Sequence, residues 1–273
     1  MRTPKGRNAE SDGPTALITG ASSGSGEALA RRFAQGGYQL VLVARSADRL
    51  KTLAATLSAT YRVKTSVAPA DLSQPDAAKK LAVSMKRARR PIDVLVNNAG
   101  ALEHGPFIGI AARRHQQLID LNVAGLTAML ANFVPPMVAR GEGRVLNVAS
   151  IAAFQPVPSL ATYAATKAYV LSLSESLSEE LKGSGVSITA LCPGLTATNM
   201  LHSARQASKE LTKLPGFVIS SAEAVADEGF EACVRGEVIR VPGALNQAAI
   251  LASRATPKWL LRRVSGAMAR SMK

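Results

Sequence analysis

Apolar runs and amphipathic stretches alternate along most of this chain. Ala16-Leu-Ile-Thr19 is a short apolar run that ends in glycines, and Gly24 to Gly36 follows with Leu29, Phe33 and Ala34 on one helical face. Gln39-Leu-Val-Leu-Val-Ala44 is continuously apolar after its first residue and predicts a strand. Ala47 to Thr60 carries Leu50, Leu53, Ala54 and Leu57 at three- and four-residue steps and predicts a helix. Arg62 to Pro69 reads as a strand. Gln74 to Arg89 reads as a helix whose basic end, Lys86, Arg87, Arg89 and Arg90, suits the negative end of the helix dipole. Ile92-Asp-Val-Leu-Val96, Arg144-Val-Leu-Asn-Val148, Val186-Ser-Ile-Thr-Ala-Leu191 and Val238-Ile-Arg-Val241 are further strands. Long helices, roughly Ala111 to Ala139 and Thr162 to Lys182, separate them.

Strands that are apolar on both faces, each followed by a helix, predict a parallel sheet covered on both sides. No linker or repeat interrupts residues 14–243, so one doubly wound α/β domain is expected there, after a polar leader at 1–13 and before an extension at 244–273. In such sheets ligands bind at the carboxyl ends of the strands, near the point where the strand order reverses.

Composition narrows the function classes. A length of 273 residues with 47% hydrophobic content supports a sizeable core. Cys192 and Cys233 make no disulfide scaffold or CxxC pair, and His104, His115 and His202 lack metal-ligand spacing, so no metal is expected. The net charge is +14, and no acid follows Glu237, while Arg240, Arg254, Lys258, Arg262, Arg263, Arg270 and Lys273 do. Beyond Pro257, Trp259, Leu260, Leu261, Val264 and Met268 suggest a basic amphipathic helix. That tail is a candidate for peripheral contact with an anionic membrane, or for packing on a neighbouring subunit. A solvated basic helix is the plainer reading, and nucleic acid has no supporting motif. Leu118 to Ala139 is apolar but holds Asp120, Asn122, Asn132 and Pro135-Pro136, which fits a buried core helix better than a membrane span. With no signal-like core near the start, a cytoplasmic, reduced protein is expected.

The residues after each strand carry the chemistry. After the first come Thr19-Gly20-Ala21-Ser22-Ser23-Gly24-Ser25-Gly26, where glycines allow a tight turn and the opening helix turns its positive end toward a pyrophosphate. After the second, where a carboxylate would bind a ribose 2′-hydroxyl, stand Ala44-Arg45-Ser46, with Arg49 one turn on. Arg45 suits a 2′-phosphate and favours NADP(H) over NAD(H). Tyr163 and Lys167 are four apart on a predicted helix, so phenol and ammonium share a face, and an adjacent cation favours the phenolate needed for proton transfer.

These residues, with Asp71-Leu72, Asn97-Asn98-Ala99-Gly100, Asn122, Ser150 and Pro193-Gly194-(x)3-Thr198, resemble the short-chain dehydrogenase/reductase family from about Thr15 to Gly243. The resemblance implies a single Rossmann-type doubly wound parallel sheet of about seven strands with helices on both faces. It implies an NADP(H)-dependent oxidoreductase acting on a carbonyl or secondary alcohol. Tyr163 would move the proton, Ser150 hold the carbonyl oxygen, Lys167 bind the nicotinamide ribose and lower the tyrosine's pKa, and Asn122 hold a water. The cofactor would lie along Gly20, Ser22, Ser23, Gly24, Ser25, Gly26, Arg45, Asp71, Leu72, Asn98, Ala99, Gly100, Tyr163, Lys167, Pro193, Gly194, Thr196 and Thr198. Ser25 departs from the branched apolar residue usual between the last two glycines. A homodimer or homotetramer is the family expectation. A non-catalytic NADP(H) sensor or scaffold of the same fold is the alternative, and such proteins usually lose the tyrosine or lysine, both present here.

On the substrate side the candidates are Leu102 and His104, then Phe154, Pro156, Val157 and Leu160, and the segment Leu195 to Phe217 with Met200, Leu201, Leu211 and Leu214. This mostly apolar set, with no arginine evidently placed to clamp a carboxylate, suits a hydrophobic ketone, aldehyde or β-ketoacyl substrate. Glu103 and His104 read as surface residues.

Overall fold

A computed structural model of the chain describes residues 13–196 and 219–255, with positions 263 and 266 besides. Seven parallel strands form one sheet in the order β3-β2-β1-β4-β5-β6-β7. They are β1 Thr15–Thr19, β2 Gln39–Ala44, β3 Thr65–Pro69, β4 Val94–Asn97, β5 Gly143–Val148, β6 Val186–Leu191 and β7 Ile239–Arg240. The order reverses between β1 and β4, which pair directly through Ala16–Val94, Leu17–Leu95 and Ile18–Val96.

Strand pleating sends alternate side chains to two separate cores. On one face Ala16, Ile18, Leu40, Leu42, Val94, Val96 and Leu146 meet α1 (Gly24–Gln35), α2 (Ala47–Tyr61) and α6 (Ala222–Arg235). On the other, Leu17, Val41, Leu95, Val145 and Ile188 meet α3 (Ala77–Arg87), α4 (Ala112–Arg140) and α5 (Ala161–Glu180). The fold therefore has the doubly wound parallel architecture with about seven strands that the alternation predicts.

α4 is long and apolar enough to span a membrane by composition. Here it lies along the sheet with Leu126, Met129, Leu130, Phe133 and Met137 buried, as expected of a core helix. Its middle, Asp120–Gly125, widens into a π turn. A Cβ on Gly125 would stand 2.4 Å from the Leu72 carbonyl oxygen, so the missing side chain lets α4 approach the segment after β3.

Some boundaries move for local reasons. β3 begins at Thr65 rather than Arg62, because Arg62 closes α2 in the left-handed region (φ 56°). α3 begins at Ala77 rather than Gln74, because Asp76 has φ 61°. The sequence pattern names no helix between 218 and 237, yet α6 is there. Its buried face is built of Ala222, Val225, Ala226, Gly229, Ala232 and Cys233, small residues that mark a helical period weakly. After β7 the chain enters α7 (Ala244–Ala255), and the expected helix beyond Pro257 lies outside the described residues except at 263 and 266.

Candidate active site

The carboxyl ends of β1 to β6 open onto one cavity of about 1240 Å³. Pockets for a single small ligand run to roughly 300–1,000 Å³, so this cavity lies above that range. Of the expected site residues, Gly20, Ser22–Gly26, Arg45, Asp71, Leu72, Asn98–Gly100, Ser150, Tyr163, Lys167, Pro193, Gly194 and Thr196 line it. Thr198 lies outside the described residues, as does most of the segment Leu195 to Phe217.

The cofactor wall is made of backbone. Gly20 has φ +66°, and a Cβ there would stand 2.8 Å from the side-chain Nδ2 of Asn98 and 2.9 Å from the Ala99 Cα. A Cβ on Gly26 would stand 2.1 Å from the Gly20 carbonyl oxygen, so the first turn of α1 can close on the loop only without side chains. Ser23 precedes α1 with extended backbone, and its side chain makes no capping bond. The amides at that helix start therefore keep their donors for an anion. Thr19 locks this wall to β4: its Oγ1 accepts from the Asn98 and Ala99 amides at 3.0 Å each and donates to the Val96 carbonyl at 3.2 Å. Asn98 returns the bond, its Nδ2 donating to the Thr19 carbonyl at 3.0 Å. Exposed Arg45 reaches the same cavity beside Ser46 and Arg49. The Ser73 hydroxyl, donating at 2.7 Å, holds the Asp71 carboxyl below its ordinary range, with help from the Ser73 amide and the charge of Arg45.

The opposite wall is made of buried side chains from β5 and α5. Ser150 follows β5, and its Oγ accepts from the Ala152 amide at 3.1 Å. Tyr163 and Lys167 project from the first turns of α5. Burial pushes the Tyr163 phenol above its ordinary value, while a hydrogen bond with Ser150 pulls it down. The expected lowering of that pKa by Lys167 is not what this geometry gives. The Lys167 ammonium donates to the Val148 carbonyl at 2.7 Å and stands 5.8 Å from the Tyr163 ring centre. Burial lowers Lys167 itself to about 8, against a small upward push from buried Cys192.

Asn122, in the π turn of α4, uses its side-chain amide to join protein segments. Its Oδ1 accepts from the Ala101 amide at 2.9 Å, and its Nδ2 donates to the Ala101 carbonyl at 2.9 Å and to Thr166 Oγ1 at 3.1 Å. It thereby ties the loop after β4 to α5. Gly100 lies in the gap between Asn122 and Lys167, where a Cβ would stand 3.3 Å from Asn122 Oδ1 and 3.5 Å from Lys167 Nζ.

On the substrate side, Leu102, His104, Val157, Leu160 and Leu195 line the cavity as expected. Phe154 does not; it packs against the core instead. Pro156 is exposed and also off the lining. Two expectations need correction. An arginine, Arg114 of α4, does line the cavity, and so does Glu103, to which it is bonded at 2.7 Å. Sequence spacing could not pair them, because their contact arises from how α4 lies over the loop. The support beneath the site belongs to no motif. Asn97 Nδ2 donates to Asn147 Oδ1 at 2.9 Å, and Asn147 Nδ2 donates to Ser174 Oγ at 2.9 Å, which joins β4, β5 and α5 inside the core. Asparagines at strand ends were the one signal for it.

A family model described as short chain dehydrogenase matches residues 14–209. Serine 3-dehydrogenase of Agrobacterium fabrum is 37% identical over 185 residues, which span 67% of this chain and 72% of that relative. Among solved structures, a short-chain dehydrogenase from Sphingobium yanoikuyae in complex with NADPH has a TM-score of 0.78 at 35% identity, covering 89% of this chain and 93% of that one. L-sorbose reductase from Gluconobacter frateurii, complexed with NADPH and L-sorbose, has a TM-score of 0.76 at 28% identity, covering 86% and 97%.

Proposed function

Because the chain belongs to the short chain dehydrogenase family, we propose that it is an NADP(H)-dependent oxidoreductase that reduces a hydrophobic ketone, aldehyde or β-ketoacyl substrate. The single observation that carries this reading is the cavity in which the glycine loop, Arg45 and the Ser150–Tyr163–Lys167 set meet. NADPH in the Sphingobium and Gluconobacter structures supports the choice of cofactor. The glycine cradle and the uncapped start of α1 fit its pyrophosphate, and Arg45 fits its 2′-phosphate. When bound, the cofactor supplies or accepts the hydride.

The chain's own residues handle the oxygen and its proton. Ser150 donates to the substrate carbonyl oxygen and fixes it beside Tyr163. Tyr163 delivers its phenolic proton to that oxygen, and Lys167, four residues on and lining the same cavity, is placed to bind the cofactor's ribose. Leu102, Val157, Leu160 and Leu195 keep water from the substrate's apolar part. The substrates named in the relatives, an amino acid and a sugar, differ from each other, so the substrate class here rests on this lining alone.

The test is a panel of ketones and aldehydes with NADPH, following absorbance loss, on the wild type and Tyr163→Phe. The wild type is expected to oxidise NADPH with a hydrophobic carbonyl compound. Tyr163→Phe is expected to lose about a thousandfold in kcat, the range of general acid–base catalysis, while NADPH still binds. A wild type that bound NADPH but reduced nothing would favour a sensor or scaffold of this fold.

A further inference from the structure

One wall of the cavity is polar and has no part in the reaction just described. Glu103, on the loop leaving β4, and Arg114 and Gln117, near the start of α4, all line it. The loop is fixed at both ends. Asn122 clasps Ala101, and the Gly105 amide donates to the Ser159 carbonyl at 2.9 Å, beside the segment that carries Val157 and Leu160. His115, next to Arg114, contacts Thr162 Oγ1 through Nδ1 at 2.8 Å, one residue from Tyr163. The polar wall therefore flanks the mouth of the carbonyl site.

Its internal bonds decide what it can recognise. Arg114 donates from Nε at 3.0 Å and from Nη2 at 2.7 Å to the same Glu103 oxygen, Oε2, and from Nη1 at 3.1 Å to Gln117 Oε1. The guanidinium is thus neutralised, and each of its nitrogens is engaged. Among the described residues, Glu103 Oε1, an acceptor, and Gln117 Nε2, a donor, have no hydrogen-bond partner. A hydroxyl donates to one and accepts from the other. A carboxylate would meet the Glu103 carboxylate, and an alkyl group would leave both polar atoms unserved when water is displaced.

We propose that Glu103, Arg114 and Gln117 form a specificity element that reads a neutral hydroxyl on the substrate, remote from the reacting carbonyl, and rejects a carboxylate there. The substrate class is then hydroxylated hydrophobic ketones. This rests on the carbonyl-reductase reading above.

The test uses the full chain with NADPH and methyl ketones of five to eight carbons whose far end is methyl, hydroxymethyl or carboxylate, such as octan-2-one, its 8-hydroxy derivative and 7-oxooctanoate. At one chain length the hydroxyl compound is expected to exceed its methyl counterpart in kcat/KM by about tenfold, the scale of a hydrogen bond to a charged group, with the carboxylate compound lowest. In Glu103→Gln the hydroxyl-to-methyl ratio is expected to fall about tenfold, and the carboxylate-to-methyl ratio to rise by a similar factor as Arg114 regains an unopposed charge. In Arg114→Met the carboxylate ratio is expected to fall further, because Glu103 then stands unopposed. NADPH fluorescence titration of both variants checks that they fold. Ratios equal in all three proteins would overturn the inference alone, as would a change confined to the KM for NADPH, which would assign the wall to the cofactor. A wild type that binds NADPH but reduces no ketone would overturn the underlying reading and the inference with it.

Discussion

The two walls of the cleft are built by opposite means. The wall from β1, β2 and β4 presents backbone, and its defining residues, Gly20 and Gly26, matter for the atoms they lack. The wall from β5 and α5 presents side chains that are themselves buried: Ser150 is 9% exposed and Lys167 6%. A backbone wall tolerates no added atom, because a carbonyl has no rotamer to escape into. A side-chain wall keeps its shape when one polar atom is removed, and loses only the chemistry of that atom. On the proposed function, variants of the two walls are therefore expected to separate binding from turnover.

The severest way to sharpen the contrast is Gly26→Val. The new Cβ would stand 2.1 Å from a backbone oxygen of Gly20, so α1 must move off the loop. NADPH binding is expected to weaken more than a hundredfold and the fold to lose about 3 kcal/mol, the upper range for overpacking. Fluorescence titration and thermal unfolding measure the two effects. Binding at wild-type strength would break the comparison, since the wall would then have room to spare. Tyr163→Phe should do the reverse, sparing binding and abolishing turnover.

Next in size is Thr19→Val, which keeps the shape of a buried side chain and removes the hydroxyl that serves the Asn98 and Ala99 amides and the Val96 carbonyl. Leaving buried amides without a partner should cost about 2 kcal/mol. Urea denaturation reads it, and a midpoint equal to wild type would mean that water replaces the latch.

Legibility in the sequence follows the same division. The backbone wall shows itself as a contiguous run, Gly20 to Gly26, because a tight turn and a helix start use adjacent residues. The side-chain wall draws on positions far apart, Ser150, Tyr163 and Lys167, and of these only the four-residue spacing of Tyr163 and Lys167 has a local physical reason. Ser150 is legible only through the family resemblance. The contacts that cross between elements left no mark in the chain: Asn122 onto Ala101, Arg114 onto Glu103, Asn147 onto Ser174. Each arises where α4 or α5 lies on the sheet, and a pairing of that kind has no sequence period. The direction of the Tyr163 shift is illegible in the chain for a related reason. Helical spacing shows that Lys167 is near, but not that its ammonium turns to the Val148 carbonyl.

A milder probe bears on the rim of the backbone wall, where selectivity is left to an exposed side chain. Arg45→Asp places a carboxylate where the 2′-phosphate would sit, near Asp71, whose charge Arg45 helps to hold. The NADPH-to-NADH ratio of kcat/KM is expected to fall by about tenfold to a hundredfold, the worth of a charge-assisted hydrogen bond. An unchanged ratio would pass the role to Arg49 or Ser46, which line the same end.

The smallest expected effect comes from proton linkage at the side-chain wall, where a buried ammonium titrates. Burial lowers Lys167 from 10.5 to about 8. Between those values the unfolded chain holds a proton that the folded chain has released, so stability rises with pH across that window. The cost of burying the charge is full below about 8 and is relieved as pH climbs toward 10.5. Cys233 works the other way: burial raises it from 9.0 to about 12, so above pH 9 the folded chain keeps a proton that the unfolded chain loses, and stability falls. The clean window therefore lies between pH 8 and 9. One pH unit there yields at most about 1.4 kcal/mol. In the protein without added dinucleotide, the thermal midpoint of the wild type should rise across this window relative to that of Lys167→Met. Parallel curves for the two proteins would mean that the ammonium is hydrated in solution, and that the side-chain wall is wetter than its packing implies.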